Sequence, residues 1–200
     1  MILPNPVPSA VLKYHNKGGS IQQFFGENEA LYAKHTPDTP YHSGIDIAVP
    51  KGTGIYAPID GKIGGLVRIQ DTRTLGGNTT WLHSHDFLDD NITKKLILGF
   101  LHQDQIFVEL NQPVKEGDKI GTAGNSGFVI SGTTVFWDDA PANVGVHCHF
   151  SIAPQLKVGS GYKMIPNYFG KGTHDPAPWL GLGTKYEFLK DIYPGKRGYD

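Results

Sequence analysis

Three histidine-centred arrangements in this chain have the residue types and spacing to do chemistry. The first is His42-Ser-Gly-Ile-Asp46, an imidazole four residues ahead of a carboxylate. Gly44 and Pro50 argue against a helix, and in a strand Ile45 and Ile47 face the core while Asp46 turns to the opposite side. This pair is half of a site for a metal of borderline softness. The second arrangement is His147-Cys-His149, in which both imidazoles share one strand face with Ser151, about 7 Å apart at Cβ by strand rise. Val146, Cys148, Phe150 and Ile152 take the other face, and one imidazole of the pair suffices for a metal. The third is His102, closing the apolar run Leu96 to Leu101, where a polar ring is costly unless it lines a site. Two His and one Asp leave a fourth tetrahedral position for water, the pattern of a catalytic zinc, which lowers the pKa of that water and polarises a carbonyl. His102 and a member of the His147/His149 pair are then placed to move a proton or steady an oxyanion. The chemistry to expect is amide hydrolysis.

These side chains need a framework, and composition bounds it. Two hundred residues fit one domain of ordinary size. Gly 26 and Pro 14 make the chain rich in turns, but at a fifth of its length they stay below the roughly 25–30% of low-complexity sequence. A net charge of −1 provides no positive field for nucleic acid or anionic lipid. The single Cys148 excludes an intrachain disulfide and leaves imidazole and carboxylate as the ligands for any metal. No run approaches the ~18 apolar residues of a membrane span, and Pro4, Pro6 and Pro8 interrupt the place where a signal peptide carries its apolar core. The expectation is a soluble chain, a monomer, without a visible secretion signal.

Periodicity supplies the elements. Ile21 to Gly26 reads as a short strand and Glu27 to Lys34 as a short helical turn. Ile55, Ala57, Ile59 and Ile63 share a parity, with Asp60-Gly61 offering hairpin-turn chemistry between them. Thr79 to His85 alternates, while Lys95 to His102 is apolar on both parities, as a central strand would be. Val114 to Gly127 reads turn, strand, turn; Phe128 to Val144 reads as a loop; Gly145 to Ile152 is a strong strand. From Ala153 to Asp200 the sequence reads as an irregular tail wrapped on the sheet, with a helical turn near Tyr186 to Ile192. No helix is long enough to cross between parallel strands, so the class is mainly antiparallel β. Cys148 reads as a small buried hydrophobe, and His15, His35 and His174 as solvated. The same-face pair His83/His85 reads as structural support, in a second shell or at a groove edge, and the aromatics from Trp179 to Tyr193 as tail packing.

The stretch from His42-Ser-Gly-Ile-Asp46 through Ala57-Pro-Ile-Asp-Gly-Lys-Ile63 resembles the signature block of the lysostaphin/LytM-type zinc endopeptidases, which cut peptidoglycan stem peptides or cross-bridges. Ile21-Gln-Gln-Phe-Phe-Gly upstream, and Gly117-Asp-Lys-Ile-Gly, Gly124-Asn-Ser-Gly and His147-Cys-His149 downstream, continue the resemblance over about residues 20–155. It implies one Zn²⁺ per chain on His42, Asp46 and His149, with His147 and His102 as the catalytic imidazoles. It also implies a single antiparallel β-sheet or half-barrel of the duplicated hybrid motif type, whose narrow groove holds an extended peptide. The domain would span 20–155, between an N-terminal extension 1–19 and a C-terminal tail 156–200 packed on it. The function implied is peptidoglycan cleavage outside the cytoplasm, as by a secreted, periplasmic or phage-delivered wall hydrolase, with no nucleic acid partner and no membrane insertion. Cys148 stands where the family usually has Leu, Gly99-Phe-Leu precedes His102 where Tyr-Ala is usual, and the segment 128–144, with Trp137, Asp138 and Asp139, is longer than the family's connection and borders the groove. Two other classes share features. Phosphocarrier domains of the sugar phosphotransferase system, and biotinyl or lipoyl carriers, resemble this chain in fold or turn, but Asp46, the adjacent histidine pair and the lack of an Asp-Lys-Ala tip argue against them. A metal-free wall-binding homologue conflicts with the presence of all three implied ligands.

Overall fold

Alternation around His147 to Phe150 and the apolar run Leu96 to Phe100 become the two longest described strands in a computed structural model, which describes residues 1–72, 74–89, 91–132, 134–138, 140–167 and 172–182. In chain order the elements are β1 (Ile21–Gln23), α1 (Glu29–His35), β2 (Ile45–Ala48), β3 (Gly54–Tyr56), β4 (Gly61–Val67), β5 (Thr79–Ser84), β6 (Phe87–Asp89) and β7 (Ile92–Leu101). They continue with β8 (Gln103–Ile106), β9 (Pro113–Val114), β10 (Lys119–Ala123), β11 (Phe128–Ser131), β12 (Thr134–Trp137), β13 (His147–Val158) and β14 (Gly161–Met164). The large sheet runs β1-β2-β13-β7-β5-β4-β9, with β14 on β13 and β6 on β7; β3-β10-β8 form a small sheet, and β11-β12 a hairpin. Every pairing of these strands is antiparallel and the large sheet stays open, so the mainly β antiparallel expectation holds.

The core lies against one face of that sheet. Ile45, Ile47, Leu82, Leu98, Phe100, Cys148, Phe150 and Ile152 are buried there, and Phe100 and Phe150 meet at 5.3 Å between ring centroids. Cys148 is a buried hydrophobe on this face, as read from its parity. The opposite parity faces a cleft, and register decides what gathers there: His149 stands opposite Asp46 on β2 and Leu101 on β7. His102 follows Leu101 directly, so the end of the central strand carries it to the same place.

Four expectations need correcting. Asp60-Gly61 does not join a β3–β4 hairpin, because those strands lie in different sheets. Asp60 instead receives the Glu116 N–H and Lys115 Nζ, each at 2.8 Å, and Ala57 exchanges backbone hydrogen bonds with the 115–118 turn, which draws β3 toward β10. The 128–144 segment is not all loop. Phe128–Ser131 and Thr134–Trp137 pair around Gly132 at φ 60, strands too short for periodicity to reveal. The tail is regular where it begins: β13 runs through Pro154 to Val158 and turns at Gly159, φ 60, into β14. Pro154 argues for an end there, yet it stays in register opposite Leu96 and its carbonyl accepts the Ile165 N–H. Finally His174 is not solvated, since its ring Nε2–H donates to the Ile165 carbonyl at 3.0 Å and its backbone bridges Ile152. Trp179 packs on the core and accepts the Leu3 N–H, while the helical turn read at 186–192 and the aromatics beyond 182 lie outside the described residues.

Candidate metal centre

His42 is fixed before β2 begins. Its Nδ1–H donates to the Phe24 carbonyl at 2.9 Å and the side chain is 1% exposed, which leaves the Nε2 lone pair aimed inward. Nε2 lies 2.9 Å from Asp46 Oδ1 and 2.9 Å from His149 Nδ1, and these last two atoms are 3.0 Å apart. On the outer side His149 Nε2 faces Ser43 Oγ at 3.4 Å. Three atoms that all carry lone pairs thus converge into one triangle. A single cation with metal–nitrogen and metal–oxygen distances of about 2.0–2.2 Å reaches all three, and the Phe24 and Ser43 contacts are the outer hydrogen bonds that orient metal-ligating imidazoles. The residues fit zinc.

Gly44 makes the triangle possible. A Cβ there would lie 2.3 Å from the Phe150 carbonyl oxygen and 2.7 Å from His149 Nε2. Gly44→Ala is therefore expected to lower stability by about 1–3 kcal/mol through backbone overpacking and to weaken zinc binding by displacing His149. Urea unfolding and zinc titration of the variant check both effects; an unchanged zinc affinity would contradict this account of His149.

Two further imidazoles flank the triangle. His147 donates Nδ1–H to the Gly145 carbonyl at 2.7 Å and brings Nε2 within 3.5 Å of Asp46 Oδ1. His102 donates Nδ1–H to the Ser126 carbonyl at 2.8 Å, and its ring centroid lies 4.6 Å from that of His147 and 6.0 Å from that of His149. It does so from a left-handed backbone, φ 58, an uncommon state for a residue with a side chain.

Burial opposes charge throughout this cluster. It works against the His42 imidazolium, yet Asp46 beside it holds that imidazole above its ordinary value. Burial likewise opposes the Asp46 carboxylate, but His42 and His147 hold it well below the usual range. For His149 burial wins and the pKa falls despite Asp46. His102 is pushed down to about 3, by burial first and then by His147 and His149. A ring that refuses a proton in the folded state and accepts it in the unfolded one makes stability rise with pH between about 3 and about 6.5. His149 acts in the same direction, whereas His42 acts only above its unfolded value and with opposite sign. His102→Asn tolerates the left-handed backbone and keeps a donor, so in chelator-treated protein it should flatten this slope, by up to about 1.4 kcal/mol per pH unit. Urea melts from pH 4 to 7 measure it, and parallel curves for the two proteins would refute the buried, neutral His102.

The cleft above these residues has a volume of about 580 Å³. Sequence reading missed Tyr32, which borders it from α1 with its ring 5.6 Å from that of His42 and its hydroxyl directed to Gln23 Oε1 at 3.5 Å. Burial, and then Asp46, pushes its phenol pKa up, so it remains a donor. Only its place on a seven-residue helix brings it there, a placement no local pattern marks. His35 also borders the cleft and is not simply solvated, while His15 is exposed as read. His83 lies over Gly64 away from the cleft, its pKa lowered by burial and by Lys95 and Lys62, and His85 is exposed beyond β5; neither is at the groove edge.

An antiparallel β-sheet with a His/Asp/His triangle at the floor of a cleft, flanked by two spare imidazoles, defines a metallohydrolase-type site. The chain belongs to peptidase family M23, whose model matches residues 40–158, and family and site together support a metallopeptidase. It is 35% identical over 86 residues to the uncharacterized lipoprotein YgeR of Escherichia coli K12, covering 42% of this chain and 30% of that protein. It is 30% identical over 117 residues to an uncharacterized metalloprotease of Buchnera aphidicola, covering 58% of this chain and 24% of that protein. The chain thus spans under a third of either curated relative. Among solved structures LytU is similar, with 27% identity and a TM-score of 0.51 over 81% of this chain and 84% of that one.

Proposed function

We propose that this protein is a zinc-dependent endopeptidase that cleaves amide bonds in peptidoglycan stem peptides or cross-bridges. The observation that carries the proposal is the convergence of His42 Nε2, Asp46 Oδ1 and His149 Nδ1 within 3.0 Å of one another beneath a cleft that also holds His102 and His147. His42, Asp46 and His149 hold the ion. When bound, zinc supplies a polarised scissile carbonyl and a water acidic enough to ionise near neutral pH. His147, with Nδ1–H tied to Gly145, offers Nε2 as the acceptor for the nucleophile's proton. Once charged, the same nitrogen is a donor that steadies the developing oxyanion and returns the proton to the leaving amine. His102, kept neutral with its Nδ1–H on Ser126, presents Nε2 as an acceptor that orients the nucleophile without taking its proton.

Among the described residues no Lys or Arg lines the cleft to pair a terminal carboxylate, which favours cleavage within a chain over removal of its last residue. In this reading residues 20–155 are the catalytic unit, and the described parts of the flanking segments pack on it, supported by burial of Leu3, Val7, Ala177 and Leu180 in the same core. Action as a monomer, outside the cytoplasm where the proposed substrate lies, belongs to the same reading. No described helix is long and apolar enough to cross a membrane.

The test is mass spectrometry of soluble products from purified sacculi incubated with the protein, with chelator, and with chelator followed by zinc. New amino and carboxyl ends that vanish with chelator and return with zinc are expected, and they name the bond. No release from walls of several cross-link types would overturn the proposed substrate.

A further inference from the structure

The two walls of the cleft are lightly built, and they touch. One wall is α1, which has seven residues, none of them buried, and begins at a left-handed Asn28 with no side-chain cap. The other is the β11–β12 hairpin, whose strands pair with each other and with no other described strand. Its base is tied by the Phe128 N–H to the Leu75 carbonyl and by Asp138, whose N–H reaches the Gly127 carbonyl and whose carboxylate accepts the Gly127 N–H. Across the gap His35, the last residue of α1, sets its ring 5.5 Å from that of Phe128. Phe128 in turn stacks edge-on, at 4.9 Å, on its cross-strand partner Trp137. Both His35 and Phe128 line the same cavity as Asp46, His102, His147 and His149.

We infer that His35, Phe128 and Trp137 form an aromatic clasp over the cleft that selects substrate by its topology. A linear peptide with a free end threads beneath the closed clasp, whereas a peptide segment anchored at both ends in a cross-linked network enters only when the clasp parts. Ring contacts of this kind are individually weak, and elements with few buried contacts open locally at low cost, so parting is frequent in the unmodified protein. The inference rests on the peptidase reading of the site and adds to it which residues decide between soluble and networked substrate.

A double variant, His35→Cys with Phe128→Cys, bridged by a short bismaleimide, tests it. Cys148 is fully buried, so the introduced thiols are the ones that react. Bridging is expected to cut release from cross-linked sacculi by about tenfold or more while leaving kcat/KM on a short linear wall peptide within about twofold of the unbridged variant. Equal losses on both substrates, or none on either, overturn the clasp. Hydrogen exchange separates this from failure of the peptidase reading: in zinc-loaded His35→Ala the amides of Phe128–Ile130 and Val135–Trp137 should exchange faster than in the unaltered protein. An unchanged pattern refutes the clasp even where no wall is cut.

Discussion

Asp46→Ala is expected to lose zinc and turnover together. Asp46 Oδ1 touches both ligand nitrogens, at 2.9 and 3.0 Å, and supplies the one negative charge among the three converging groups. Without it two buried neutral imidazoles face each other at 2.9 Å, and the site neither attracts a dication nor has three ligands to hold one. Metal analysis of the purified variant should fall from one zinc per chain toward none. A metal that polarises a carbonyl stabilises a transition state by several kcal/mol, so kcat/KM should drop by about a thousandfold or more. Asp46→Asn serves as the control, because it keeps shape and one acceptor but removes the charge; it should bind zinc more weakly than the native protein and more tightly than the alanine variant. Native activity in the alanine variant would sink the whole site assignment.

His147→Ala should behave in the opposite way with respect to metal. Its Nε2 approaches Asp46 at 3.5 Å but lies outside the triangle of ligand atoms, and its Nδ1–H is committed to Gly145. The variant is expected to retain one zinc per chain while kcat falls about 10²–10⁴-fold, the usual contribution of a positioned proton carrier, with KM little altered. Loss of zinc here would make His147 a ligand and return the choice within the pair to His149 or His147.

Much of the site is legible in the amino-acid sequence. The face assignments of Asp46, His147 and His149 follow from a period of two; the burial of β2 alternates with it residue by residue, whereas β13 is covered on both faces from Cys148 to Pro154, so there the ladder opposite β2 and not exposure carries the alternation. The proposed metal-ligand set and the two proposed catalytic imidazoles come instead from family resemblance, since spacing leaves His147 and His149 interchangeable. What separates them is register: His149 stands opposite Asp46, and His147 opposite Ala48, two residue pairs along the ladder. Elements that depend on remote partners are the ones that local pattern misplaces. Asp60-Gly61 has hairpin chemistry, but Lys115 and Glu116 claim its carboxylate; β11 and β12 are four residues each, too short to show a period.

By itself the sequence determined that the chain is a mainly β domain, that any metal it binds would be held by imidazole and carboxylate, and which side of the strand Asp46, His147 and His149 each take. These are local properties, written in composition and in alternation along a few residues. Only the tertiary structure decided that His42 and His149, 107 positions apart, meet at 2.9 Å, that His102 is buried beside them on a left-handed backbone, and that His35 reaches across to Phe128. The reason is physical: alternation sets which way a side chain points, but which strand lies next to it, and in what register, is settled by packing the whole sheet on one core.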